Sequence, residues 1–430
     1  MKKVLLLTLA SGCLQVYAQQ GAKPLVADAK YQTEISTLAG NPIVRKAFQT
    51  ILDLEPETLK DHLLLTEIPS PPFKEQVRAK KYAELMKAAG ADSVWIDNVG
   101  NVLAKRKGKT GKKTVVLEAH LDTVFPEGTD VKVRYSGDTL KAPGIGDDTR
   151  GLAVVLAVLK TMKQTNIITQ GDVLFVGAVG EEGLGDLRGV KNLFIPGAPK
   201  IDSYLAVDGA GIGPITNGGV GSLRYRVTFK GPGGHSYGSF GLVNPHHALG
   251  KAIYYFDKEA NVFTRTGPKT TYSVSVIGGG TSVNAIPYES WMEVDMRSED
   301  AQRLAGINQI FLAAIDKGLK EENTTKRLGA DLTVDIKKVG DRPSGLNDEK
   351  NPLIQRMIAI TRYFKAEPSL NSSSTNANIP FSKGVPAATI GIGGVGGGAH
   401  SLNEWWVNDK GYLGIQQALL ILLAEAGLTE

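Results

Sequence analysis

The stretch Val115-Val116-Leu117-Glu118-Ala119-His120-Leu121-Asp122 starts as an apolar, β-branched run and ends on an imidazole and a carboxylate. Such a run suits the middle of a parallel sheet, where both faces of a strand are covered. In open α/β sheets ligands collect at the carboxyl ends of the strands, and His120 and Asp122 fall at such an end. Two residues apart on extended chain, the two side chains point the same way. Asp122 can then accept the ring N–H of His120 while the other ring nitrogen meets a metal. The plainer alternative is a surface hydrogen bond between the two.

At 430 residues the chain exceeds what one hydrophobic core usually supports, so two domains are expected. The first 18 residues carry Lys2 and Lys3, an apolar core from Val4 to Leu14, and Val16-Tyr17-Ala18 ahead of Gln19. This is the pattern of a secretory signal peptide cleaved after Ala18, which predicts a secreted or periplasmic protein. Ala10-Ser11-Gly12-Cys13 also resembles part of a bacterial lipoprotein box, so lipid anchoring at Cys13 is the alternative. Cys13 is the only cysteine, and cleavage after Ala18 leaves a mature chain without thiols or disulfides. No other stretch approaches the roughly 20 apolar residues of a membrane span. The formal charge of +5 loses Lys2 and Lys3 on cleavage, and the remaining basic residues are dispersed, which excludes a nucleic-acid partner. Lys105 to Lys113 holds Gly108 and Gly111 and has the look of a solvated turn.

Residues 19 to 41 are polar and aperiodic, a loose leader. Apolar spacing of three and four then predicts helices over Ile43–Leu54, Pro56–Glu67 and Phe73–Ala89. His62, in the second of these, has no acid or second histidine at helical spacing and is expected to be a packing or surface residue. Ser93–Ile96 and Asn101–Ala104 suggest a hairpin. Past Asp122 a polar excursion, Val131 to Leu140, leads to Ala142-Pro143-Gly144-Ile145-Gly146-Asp147-Asp148, with an apolar helix starting at Leu152. Adjacent aspartates there are either a helix cap or ligands. Strand Val173–Val179 runs into Glu181-Glu182, and strand Tyr204–Val207 into Asp208. Buried strands that keep ending in carboxylates imply a compensating cation, because clustered negative charge away from water is costly.

From Val220 strands and helices mix: strands over Ser222–Phe229, Thr271–Ile277, Ser290–Arg297 and Leu332–Val339, helices over Pro245–Glu259 and Ala301–Leu319. Bounded by Gly218-Gly219 and Arg342-Pro343, residues 219–342 are a second, α+β domain inserted into the first, which occupies 42–218 and 343–430. The first domain closes with a helix over Leu353–Phe364, a strand over Ala387–Ile392, a glycine loop ending at His400, and a helix over Lys410–Ala426. Gly391, Gly393 and Gly396 match a dinucleotide fingerprint in spacing, but no helix opens behind them, so that reading is set aside. His246 and His247 start a helix and diverge around its axis, which suits a structural or surface role.

The residues gathered at strand ends are His120, Asp147, Glu182, Asp208 and His400. Five nitrogen and oxygen donors can hold two zinc-like cations if one carboxylate bridges them, and cobalt or manganese fits the same donors. Such a pair polarises a carbonyl and lowers the pKa of a water, with Glu181 as the natural base.

This set resembles the dinuclear zinc metallopeptidase family of peptidase T, carboxypeptidase G and aminoacylase, over nearly the whole mature chain. The resemblance implies an α/β fold: a zinc-exopeptidase-like catalytic domain with a mixed, largely parallel sheet, interrupted by a smaller α+β lid and dimerisation domain. It implies that His120 and Asp208 bind one ion, Glu182 and His400 the other, and that Asp147 bridges them. Asp122 would orient His120, Glu181 would be the base, and the peptide between Asp147 and Asp148 would be cis. His235 in Gly233-Gly234-His235-Ser236 resembles the lid histidine that stabilises the oxyanion, often across a homodimer. Asn284 and Arg297 resemble the substrate clamps, and an arginine suits a terminal carboxylate. Asn376 stands where relatives often carry an acid, which bears on pocket specificity.

The function expected from these residues is exported, metal-dependent exopeptidase cleavage of an amide in a di- or tripeptide. Deacylation of N-acyl amino acids is the alternative within the family, and an inactive periplasmic binding protein the alternative outside it. Phosphoester hydrolysis would need basic groups at the strand ends, where only Arg150 offers itself.

Overall fold

The computed structural model describes residues 24–429, so the signal segment, the cleavage after Ala18 and the lipid anchor at Cys13 lie outside the described residues. Among those residues nine strands form one sheet. Its central strands, Asp172–Ala178, Thr114–His120, Ser203–Val207 and Ala387–Ile390, all run parallel. Val102–Arg106 and Ser93–Ile96 extend one edge antiparallel, and Pro214–Gly219 is antiparallel on the other, so the sheet is mixed and largely parallel, as expected. Val115, Val116 and Leu117 have no exposed surface. Helices cover them on one face, chiefly Thr149–Gln164 and Tyr412–Ala426, whose apolar sides share one core with the sheet. The shorter helices Arg188–Leu193 and Asn378–Ser382 close the other face.

Residues 221–342 build a separate sheet in the order Thr270–Gly279, Glu289–Ser298, Gly221–Lys230, Thr333–Arg342, antiparallel throughout. Period-two burial along Gly221–Lys230 turns Tyr225, Val227 and Phe229 inward, against the long helices Pro245–Phe263 and Ala301–Thr324. Phe256 and Phe311 meet edge to face at 5.0 Å in that second core.

Three expectations need correction. The loose leader contains a helix, Ala29–Gly40, whose Tyr31, Ile35 and Ala39 form one buried stripe against helix Pro352–Tyr363. Arg356 fixes it by bonding Glu34 at 2.9 Å. The polar excursion holds two short strands, Arg134–Ser136 and Thr139–Lys141, which join Trp405–Val407 and Val395–Gly397 in a small antiparallel sheet beside the site. The helix expected from Leu152 begins at Thr149. A Cβ at Gly151 would collide with the Asp148 side chain and the Val207 carbonyl, so glycine is what lets this helix start so close to the sheet. No helix among the described residues is long and apolar enough to cross a membrane.

Candidate metal centre

The parallel strands deliver their carboxyl ends to one place. His120 is the last residue of strand Thr114–His120, and its Nδ1 bonds the main-chain carbonyl of Asp122 at 3.0 Å. This corrects the expected carboxylate–histidine contact, since the Asp122 carboxylate stands 3.7 Å from that nitrogen. Asp122 instead accepts the main-chain N–H groups of Glu181, at 3.0 Å, and Glu182, at 2.8 Å. It therefore ties the end of one strand to the acidic pair beyond its neighbour. Burial raises the pKa of Asp122. The buried Arg78 guanidinium lies close enough to interact with its charge and bonds the Leu121 carbonyl at 2.7 Å.

With Nδ1 so engaged, His120 presents Nε2 to Asp147 Oδ1 at 3.0 Å. The other Asp147 oxygen faces His400 Nε2 at 3.1 Å, and that nitrogen also meets Glu182 Oε1 at 3.1 Å. The peptide between Asp147 and Asp148 is cis. Asp148 is not a side-chain cap of the following helix: its Oδ2 accepts the His120 N–H at 2.9 Å. A residue not foreseen from the sequence, Glu404, fixes the turn that carries Asp147. Its two oxygens accept the N–H groups of Gly144, Gly146 and Asp147 at 2.7, 2.7 and 2.8 Å. His400 itself is held at φ 64°, a left-handed conformation that a residue with a side chain adopts at a cost.

Donor atoms of His120, Asp147 and Asp208 lie within 4.8 Å of one another, as do those of Asp147, Glu182 and His400. Asp147 is common to both sets. His120, Glu181 and Glu182 form a third such group. The electrostatics point the same way. Burial and the neighbouring Asp147 push Asp208 well above the ordinary carboxylate range, and burial raises Glu181. Asp147 is half-buried, and there the two imidazoles hold its pKa down against desolvation. Hydrogen bonds to Asp147 and Glu182 raise His400 to about 10, and His120 is raised by Asp148 and Asp147 in spite of its burial. The site thus holds more acid than its imidazoles neutralise, and its mixed nitrogen and oxygen donors fit a pair of divalent cations.

Glu181 is 6% exposed and pairs with Arg342, itself 4% exposed, through Oε1 and Nη1 at 3.0 Å. Arg342 also bonds the Glu181 main-chain carbonyl and Ser374 Oγ. The sequence marked Arg342 only as a domain boundary. Both residues line a cleft of about 670 Å³ that contains Asp147, Glu182, Asp208 and His400. Arg297 reaches this cleft, joined by Arg224, and both guanidiniums share Asp295. His235 and Asn284 do not line it. They neighbour each other on a two-stranded ribbon, where His235 is exposed and Ser236 N–H bonds the Asn284 carbonyl at 2.9 Å. Asn376 also lies outside the pocket: buried, it donates to Glu118 Oε1 at 2.7 Å in the core beneath the site. Arg150 is buried against Trp406, 4.6 Å from the ring centre, and offers nothing to a phosphate in the cleft. His62 is a packing residue, fully buried and edge-on to the same Trp406.

A family model described as Peptidase family M20/M25/M40 matches residues 116–423. Carboxypeptidase G2 of Pseudomonas sp. (strain RS-16) is 27% identical over 237 residues, which cover 53% of this chain and 52% of that relative. The match therefore spans about half the length of that protein. A tripeptidase from Staphylococcus aureus superposes with a TM-score of 0.69 at 22% identity, covering 85% of this chain and 98% of that one. A dinuclear metal-binding peptidase from Bacillus subtilis superposes with a TM-score of 0.61 at 17% identity, covering 89% and 99%. The first of these likenesses is in sequence and the other two are in fold, and the family match takes in most of the chain together with every residue of the acidic and imidazole cluster: the protein belongs to peptidase family M20/M25/M40.

Proposed function

We propose that the protein is an exported metal-dependent exopeptidase that hydrolyses an amide bond in di- or tripeptides. The observation that carries this reading is the convergence of His120, Asp147, Glu182, Asp208 and His400 into two donor sets joined at Asp147. His120 and Asp208 would hold one zinc ion, Glu182 and His400 the other. When bound, the pair polarises a scissile carbonyl and lowers the pKa of a water. The protein supplies the rest. Arg342 occupies Glu181 Oε1, leaving Oε2 to take the proton from water and return it to the leaving amine. Arg297 and Arg224 receive the substrate carboxylate, a role suited to their planar forks. His235 and Asn284, away from the cleft of their own chain, would act on that of a partner in a homodimer built through residues 219–342.

The test is a zinc-replenished enzyme assayed against dipeptides, tripeptides and N-acetyl amino acids. Turnover of peptides is expected, and no turnover of any member would refute the reading. Preference for N-acetyl amino acids would make it a deacylase of the same family. His235→Ala is expected to cut turnover far more than metal content, and equal losses would contradict its role. Export is tested by sequencing the N-terminus of the protein from fractionated cells, with Gln19 expected first.

A further inference from the structure

The cleft that holds the arginines is not the only space that opens on the acidic cluster. A smaller cavity of about 140 Å³ is also lined by Asp147 and Asp208. Its remaining walls include the glycines Gly393, Gly396 and Gly397, together with Ile392, Glu404 and Trp405. The two spaces meet at the shared carboxylates and at Gly209, Ala210 and Ala399. An amide whose carbonyl sits at Asp147 and Asp208 therefore extends one way into each. The end that carries a carboxylate has its guanidinium partners in the larger cleft, at Arg224 and Arg297. That leaves the smaller cavity for the group on the acyl side of the bond.

Trp405 sets the size of that cavity. It lies on strand Trp405–Val407, opposite Gly397 on one side and Lys141 on the other. A Cβ at Gly397 would stand 3.2 Å from the indole, so the glycine is what lets the ring lie close over its partner strand. The same indole lines a separate hollow of about 580 Å³ with Lys141, Pro143 and Leu402. It is thus a partition between a small space that touches the acidic cluster and a larger one that does not. The small cavity, about 140 Å³ against about 580 Å³ for the hollow beyond the indole, is much the tighter of the two. An alanyl residue adds only three heavy atoms beyond its carbonyl carbon and oxygen, whereas a phenylalanyl residue adds nine.

We propose that this cavity is the acyl-side subsite and that Trp405 is a specificity-determining wall that restricts the substrate to small acyl-side groups such as glycyl, alanyl or acetyl. The proposal rests on the amide-hydrolase reading above and deepens it. The experiment is steady-state kinetics of the zinc-loaded enzyme on Gly-Ala, Ala-Ala, Leu-Ala and Phe-Ala, repeated with Trp405→Ala. For the wild type, kcat/KM is expected to fall by about 10² or more from Ala-Ala to Phe-Ala. In Trp405→Ala the ratio of Phe-Ala to Ala-Ala should rise at least about tenfold, as the two spaces merge. Equal kcat/KM across the wild-type series overturns the subsite without touching the peptidase reading, and needs no variant to fold. A folded Trp405→Ala enzyme that keeps the wild-type ratio overturns the wall. Absence of turnover on every member, and on the tripeptides and N-acetyl amino acids of the wider panel, overturns the peptidase reading and the subsite with it.

Discussion

Arg342→Met, which removes a guanidinium of similar length to its replacement, should disable the enzyme through Glu181 and not through the metals. In the structure Arg342 makes three contacts: Glu181 Oε1 at 3.0 Å, the Glu181 main-chain carbonyl, and Ser374 Oγ at 3.0 Å. It is also the leading influence that lowers the Glu181 pKa against burial, so its loss leaves that carboxylate both loose and harder to ionise. Removing the base altogether, as in Glu181→Gln, should cost kcat/KM a factor of about 10² to 10⁴, or about 2.7–5.4 kcal/mol. Arg342→Met should take a large part of that loss, about a hundredfold. The assay is a double-mutant cycle on the best dipeptide substrate, with unfolding curves and metal content measured for each variant. If Arg342 acts by holding Glu181, the double variant is no worse than Glu181→Gln alone, which is a coupling of about 2.7 kcal/mol. Arg342→Lys should fall between, because an ammonium keeps the charge but not the fork that spans these acceptors. Losses that simply multiply, leaving a coupling below about 0.5 kcal/mol, would refute this role and assign Arg342 to another part of the reaction.

Glu404→Ala leaves three main-chain N–H groups without their acceptor, at about 1–3 kcal/mol each. Urea unfolding should register a loss of at least about 3 kcal/mol and elemental analysis a lower metal content, whereas wild-type values in both would remove Glu404 from its role as a positioning residue. His62 is fully buried and its pKa is lowered to about 3, by burial first and by the charge of Arg150 second. The unfolded chain therefore binds this proton more readily, and the associated stability is complete above pH 6.5 and lost as pH falls towards 3. Between pH 6.5 and 4 the wild type should lose about 3 kcal/mol more than His62→Gln, and parallel curves would contradict the shift.

What the sequence made legible was whatever is encoded locally. Val115–Leu117 and Val173–Val179 announced buried strands because an unbroken apolar run has few other places to go. His120, Glu182 and Asp208, at or just past such strands, were legible for the same reason, and the structure gathers them with Asp147 and His400 from loops. Helix Ala29–Gly40 was missed because its buried stripe is only Tyr31, Ile35 and Ala39, on a segment otherwise polar. The supporting groups were missed on different grounds. Arg342 meets Glu181 across 161 positions and Glu404 meets Gly144 across 260. Nothing near any of these residues in sequence names its partner, so a side chain that holds a ligand in place is invisible until the fold is known. Asp122 shows the finer version of the problem. Its nearness to His120 was legible, but the destination of its carboxylate, two N–H groups about 60 positions away, was not.

The central claim is that one carboxylate joins two cation sites. It is tested most directly by counting metal in purified protein after dialysis and zinc replenishment, for the wild type and for Asp147→Ala. Two ions per chain are predicted for the wild type, and fewer than one for the variant, because Asp147 belongs to both donor sets. One ion or none in the wild type, or two retained without Asp147, would contradict it.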